Sequence, residues 1–174
     1  NSSGLSAVNI AEYCVASMLI WSKRLDLAVR QQMEHRWQGR QTGEIMGKTV
    51  GIAGMGAIGR ELARRSRAFG MRVSVWGSES ARTKALADGH EAANSCEGFF
   101  EQCDVLSVHL RLSERTQGII ALEDLSRMKP TALFVNTSRA ELLKEHALVS
   151  ALNRGRPGMA AIDVFEAEPI LQGH

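Results

Sequence analysis

The sequence predicts an α/β fold, a doubly wound parallel sheet preceded by one long helix. Three observations predict it. Short runs rich in Val and Ile alternate with stretches of helical periodicity from residue 49 to residue 164. A glycine cluster, Gly54-Met55-Gly56-Ala57-Ile58-Gly59, falls between the first such run and the helix after it. The segment ahead of them, Ser6 to about Glu34, is helical in pattern throughout. Strands that alternate with helices imply parallel pairing under helices on both faces. Right-handed crossovers then bring every strand's C-terminal end to one edge.

The elements follow in order. Ser6 to about Glu34 reads as a single helix, with Val8, Ala11, Val15, Met18, Leu19 and Leu25 near the helical period and Ser6 as its N-cap. A polar connector, Gln38 to Gly47, leads to a strand over Thr49 to Ala53. Ala57 to Phe69 is a helix with Ile58, Leu62 and Phe69 on one face, stopped by Gly70. Arg72 to Trp76 alternates as a strand, and Ala81 to Ala87 is a short helix closed by Asp88-Gly89. Glu91 to Ala93 and Glu97 to Gln102 read as a short strand and a short helix. Val105 to Leu110 is a strand, and Leu122 to Met128 a helix halted before Pro130. Ala132 to Asn136, Lys144 to Asn153 and Met159 to Val164 complete the pattern as strand, helix and strand.

Composition bounds what such a fold does. The chain has 174 residues, enough for one domain with a real core. Its 21 basic and 19 acidic side chains leave a net charge of +2, so nothing in the balance points to nucleic acid or an anionic membrane as partner. Cys14, Cys96 and Cys103 form no C-x-x-C pair, so neither a disulfide framework nor a metal site is expected, and reduced thiols suit the cytoplasm. The apolar stretch Tyr13 to Trp21 is too short to span a bilayer. The chain starts at Asn1 rather than Met and ends at Gly173-His174, and both ends read as cuts in a longer protein.

The glycine cluster is G-x-G-x-x-G, placed after a strand and opening a helix. That context makes it a dinucleotide fingerprint of the Rossmann type. Gly54 permits the tight turn, Gly56 lets backbone approach a pyrophosphate, and Gly59 lets helix and strand pack closely. Free N–H groups at Ala57, Ile58 and Gly59 then face the phosphates with the helix dipole behind them. An NAD-selective site ends its second strand in Asp or Glu. Here that position is Gly77, and Ser78, Ser80 and Arg82 follow as candidates for a 2′-phosphate, with Glu79 between them as the one local carboxylate. This tips the expectation from NAD toward NADP.

At this point the whole chain resembles the nucleotide-binding domain of the D-isomer-specific 2-hydroxyacid dehydrogenases. The resemblance begins in Ser6 to Tyr13 and runs through Gly47 to Gly59, then Asp104 to Leu112 and Thr116-Gln117-Gly118. It is most specific in Met128-Lys129-Pro130 through Asn136-Thr137-Ser138-Arg139, and it continues in Ala161 to Pro169. It implies reversible hydride transfer between NAD(P) and a 2-oxo or 2-hydroxy acid. By position, Arg139 matches the arginine that binds the substrate carboxylate and polarises the oxo group. Glu168 matches the glutamate that holds the catalytic histidine. Asp163 matches the residue that holds the nicotinamide carboxamide, and Leu110, Thr116 and Thr137 match positions lining the nicotinamide half of the site. The resemblance also implies a homodimer, with residues 1–36 as linker and dimerisation helix and 37–174 as dinucleotide-binding domain.

The chain departs from the family pattern at Ala140, where Gly is usual, and at Arg111, where Pro is usual. The family's proton-donor histidine lies in a Pro-His segment further past the glutamate, whereas this sequence ends six residues after Glu168. His174 matches a weaker position before that segment, and His109 reads as a packed or backbone-bonded residue. The 174 residues are therefore expected to bind cofactor without turnover, with the substrate domain outside them. A nucleotide-sensing corepressor on the same fold is the alternative, since such proteins keep the arginine and glutamate too.

Overall fold

The computed structural model describes residues 5–39 and 41–170. Six parallel strands form one sheet in the order β3-β2-β1-β4-β5-β6. They are β1 Thr49–Ala53, β2 Arg72–Trp76, β3 Glu91–Ala92, β4 Val105–Val108, β5 Leu133–Asn136 and β6 Met159–Ile162. The chain starts in the middle with β1, winds outward through β2 and β3, then returns to the other side for β4 to β6. This is the doubly wound Rossmann-type sheet that the alternation predicts. His174 lies outside the described residues.

The helices divide between the two faces. On one, α1 (Leu5–Lys23), α3 (Ala57–Ala68) and α4 (Glu79–Ala87) pack Cys14, Met18, Leu62 and Ala85 onto Val50, Ile52, Val73 and Val135. On the other, α5 (Cys96–Gln102), α6 (Leu122–Arg127) and α7 (Ala147–Asn153) pack Phe99, Leu125 and Ala151 onto Leu106, Val108 and Phe134. Neighbouring residues of one strand thus serve opposite cores, which explains runs such as Leu133–Asn136 that are buried at every position. Each fully buried Phe or Leu stabilises the fold by about 1.5–3 kcal/mol. At the sheet's N-terminal edge the Asp104 carboxylate accepts hydrogen bonds from Thr49 N and Lys129 Nζ, both at 2.8 Å. One side chain there ties the start of β1 to β4 and to the α6–β5 turn.

Three sequence expectations change. The single helix from Ser6 to Glu34 is two helices, α1 and α2 (Leu25–Met33), separated by Arg24 in the left-handed conformation at φ 52°. Periodicity runs through both, but α1 buries Ala7, Ala11, Cys14 and Met18 whereas α2 buries no residue. Ser6 lies inside α1 rather than capping it. The helix expected from Lys144 begins at Ala147. Residues 142–144 pair instead with Ile120, through Ile120 N to Leu142 O (3.0 Å) and Lys144 N to Ile120 O (2.9 Å). This long-range pairing outcompetes the local helical preference, and a 3-10 turn, Ala140–Leu142, precedes it.

A buried polar chain links α1 to the end of β4. Ser107 Oγ donates to Cys14 Sγ at 3.6 Å, and His109 Nε2 lies 2.9 Å from Ser107 Oγ. With Ser107 donating to the thiol, the imidazole Nε2–H is the donor to Ser107. His109 is thus held twice, its imidazole on the Ser107 side chain and its backbone N–H on Ala53 O at 2.8 Å. Burial pushes its pKa down to about 4. The folded imidazole binds fewer protons than an unfolded one, whose pKa is near 6.5. Its stabilising contribution is present above pH 6.5 and is lost as pH falls toward 4, on the order of 3 kcal/mol in all. Urea unfolding midpoints should decline between pH 6.5 and 4 in the wild type. The decline should be shallower in His109→Gln, which keeps a donor to Ser107 but does not titrate.

Candidate functional site

Strand register aligns the site. Trp76, Ala53, Val108, Asn136 and Ile162 are partners in one row across β2, β1, β4, β5 and β6. The residues that follow, Gly77, Gly54, His109, Thr137 and Asp163, therefore leave the sheet side by side. Backbone bonds extend the ladder by one step: Gly54 N to Trp76 O (2.8 Å), His109 N to Ala53 O (2.8 Å) and Asp163 N to Asn136 O (3.0 Å).

At the glycine loop, Gly54 has φ +100°, and a Cβ there would meet His109 O at 2.6 Å. A Cβ on Gly59 would lie 2.2 Å from Gly54 O, so α3 sits against the loop at backbone distance. A Cβ on Gly56 would meet nothing within 4 Å. The first intrahelical bond runs from Arg60 N to Gly56 O at 3.0 Å, which leaves the amides of residues 57–59 without helical partners. Tight packing on two sides and open space on the third is what a pyrophosphate cradle requires, so the residues present fit a dinucleotide.

A cleft of about 650 Å³ opens beside the loop. It brings together Gly54, Gly56, Ser78, Leu110 and Thr116 of the expected cofactor residues. Ala57 and Ile58 stand at the start of α3, exposed and half-buried respectively, outside that lining. Thr116 Oγ1 donates to Arg111 O at 2.6 Å and accepts from Ser113 N at 2.8 Å, fixing the turn after β4. Ser78 caps α4, its Oγ accepting from Ala81 N at 3.3 Å. Arg82 is exposed on α4 and does not line the cleft, whereas Ser80 and Lys84 do. Arg111 and Arg115 line it as well. Lys84 and Arg115 escape a motif-based reading. The signal that finds Lys84 is its i, i+4 spacing from Ser80, which puts both on one side of α4.

Arg139, Asp163, Thr137 and Glu168 stand further along the same edge, beyond β5 and β6. The Arg139 turn is fixed by Asn136, whose side chain donates to Arg139 O and accepts from Ser138 N, both at 3.0 Å. Ser138 Oγ donates to Val108 O at 2.8 Å, which anchors the turn to β4. The exposed guanidinium donates to Ser138 O at 2.6 Å and forms no ion pair among the described residues. Thr137 Oγ1 is buried beside the Cys14 thiol. Burial, and behind it the Asp163 carboxylate, raise the pKa of the Tyr13 phenol, so α1 reaches this end of the site. Glu168 Oε1 accepts from Phe165 N at 2.9 Å, closing a turn that presents the rest of the carboxylate to solvent. A guanidinium in no ion pair suits a carboxylate ligand, and a turn-held carboxylate suits an imidazole N–H.

Comparison with known proteins identifies the family. Residues 15–174 match the family model described as D-isomer specific 2-hydroxyacid dehydrogenase, NAD binding domain. A glyoxylate reductase of Aeropyrum pernix is 35% identical over all of this chain and 54% of its own length. A Ralstonia solanacearum oxidoreductase, provisionally named a D-3-phosphoglycerate dehydrogenase, superposes with a TM-score of 0.89 at 52% identity, over 94% of this chain and 52% of its own. An NADPH-dependent glyoxylate/hydroxypyruvate reductase of Sinorhizobium meliloti superposes with a TM-score of 0.84 at 26% identity, over 94% of this chain and 84% of its own. The chain spans about half the length of the first two. Its strand order, its glycine loop and its match over residues 15–174 together place it in the D-isomer specific 2-hydroxyacid dehydrogenase family, as that family's NAD-binding domain.

Proposed function

We propose that this chain is the cofactor-binding half of an NAD(P)-dependent oxidoreductase that interconverts a 2-oxo acid and a 2-hydroxy acid. The observation that carries this reading is the single edge holding the glycine cradle, the exposed Arg139 and the turn-held Glu168. When bound, the nicotinamide supplies the hydride. Arg139 offers a planar two-pronged donor for the substrate carboxylate and draws electron density from the neighbouring oxo group. Asp163 orients the carboxamide through its exposed carboxylate, and Leu110, Thr116 and Thr137 shape the nicotinamide half. Glu168 is placed to accept from an imidazole and keep it protonated, so that it serves as general acid in ketone reduction.

The reading extends to NADP over NAD. Among the described residues no Asp or Glu lines the cleft beside β2, and the Sinorhizobium meliloti neighbour is NADPH-dependent by name. It extends also to a homodimer in the cytoplasm. Helix α2 leaves Leu25, Val29 and Met33 exposed at i, i+4 and i+8, and Trp37 beyond them is 97% exposed. A helix with no buried residue gains its stability from a partner, and pairing with a second copy is the commonest arrangement. Among the described residues no helix is long and apolar enough to cross a membrane.

Three outcomes are expected. Gly56→Ala should keep the wild-type melting temperature, since its Cβ meets no protein atom, yet weaken NAD(P)H binding by about tenfold or more in a fluorescence titration. Arg139→Gln in the whole protein should lower kcat/KM for glyoxylate or hydroxypyruvate by about 10²-fold, with partial recovery in Arg139→Lys. Unchanged kinetics would remove Arg139 from the substrate site. Light scattering should give a dimer mass, and Val29→Lys should shift it toward the monomer. A monomeric wild type would end the dimer reading.

A further inference from the structure

We propose that Lys84, with Ser80 one helical turn before it, is the group that reads the 2′-phosphate of NADP. The inference rests on the NADP reading above and replaces Arg82, the cation the sequence offers first. Ser80, Ala81 and Lys84 line the cleft, while Arg82, two residues on from Ser80, lies on the far side of the helix. Lys84 is exposed and forms no ion pair among the described residues, so its ammonium is free to meet an anion without first breaking a contact.

Backbone geometry supports the same assignment from the opposite direction. The residue at which an NAD-selective site carries its acid is Gly77, and here its φ is +151°, a conformation that side chains rarely adopt. A Cβ at that position would also stand 3.3 Å from Ala81 Cβ and 3.7 Å from Gly54 N. The loop conformation therefore favours glycine, and the backbone disfavours the carboxylate that would repel a phosphate. Glu79, the one nearby acid, opens α4 at an exposed position outside the cleft lining. Ser78 is held as the helix cap. Arg111 and Arg115 line the cleft too, so among the described residues its charged lining is entirely cationic. Such a cleft favours the more highly charged of two otherwise equal ligands.

The test separates this inference from the NADP reading beneath it. The protein and its Lys84→Gln, Lys84→Arg and Arg82→Gln variants are titrated calorimetrically with 2′,5′-ADP and with 5′-AMP, which differ at the 2′-phosphate. The wild type is expected to bind 2′,5′-ADP more tightly. Lys84→Gln should lose about tenfold for 2′,5′-ADP with 5′-AMP unchanged, as removal of one charge-assisted bond predicts. Lys84→Arg should retain the preference, and Arg82→Gln should match the wild type. If Arg82→Gln carries the loss, or if Lys84→Gln loses nothing or weakens both ligands equally, Lys84 is not the reader and the NADP preference stands without it. If the wild type binds both ligands equally or prefers 5′-AMP, the NADP reading fails and the assignment of Lys84 fails with it.

Discussion

The site depends on how closely three backbones approach at the C-terminal edge of the sheet. The loop after β1, the first turn of α3 and the end of β4 meet with no room for a methyl group between them. A Cβ at residue 59 would sit 2.2 Å from Gly54 O, and one at residue 54 would sit 2.6 Å from His109 O. Contact this close turns the unbonded amides of α3 outward, toward the one side left open. It also fixes the height of β4 relative to β1. Parallel pairing then passes that height to β5 and β6, so that Thr137 and Asp163 emerge level with the glycine loop.

Charge is distributed along this edge by depth. His109 is half-buried, hydrogen-bonded to Ser107 and held neutral by desolvation, so it adds a hydrogen-bonding ring without a charge. The cations of the cleft, Lys84, Arg111 and Arg115, are all exposed, where a full charge costs little to keep. Ser107 and Cys14 continue the buried chain into α1, which makes the first helix a wall of the site as well as a cover for the sheet.

Much of this was legible in the sequence, for identifiable reasons. Strand-helix alternation and the glycine spacing act within a few residues of one another, so they specify the doubly wound sheet and its cradle. Arg139, Asp163 and Glu168 enter the proposed site because each follows a strand that reads clearly and stands in a motif that resembles the family's. Local pattern failed where a distant contact or a single dihedral decides. Residues 142–144 pair with Ile120, which no window around Lys144 contains. Arg24 turns left-handed between two stretches that share one periodicity. Arg82 and Lys84 are both cations near the expected loop, and only the start of α4 at Glu79 decides which of them faces the cleft.

The Asp104 carboxylate joins β1, β4 and the α6–β5 turn at the edge opposite the chemistry. Parallel topology puts every strand start at one end and every strand finish at the other, so rigidity and reactivity have separate addresses. The end that anchors the strands can drift in sequence, or be hardened against heat, without altering the loops that meet the ligand. The other end can in turn exchange loop residues without loosening the strands. The molecule is in that sense a chassis, with an anchored end and an end whose fittings can change.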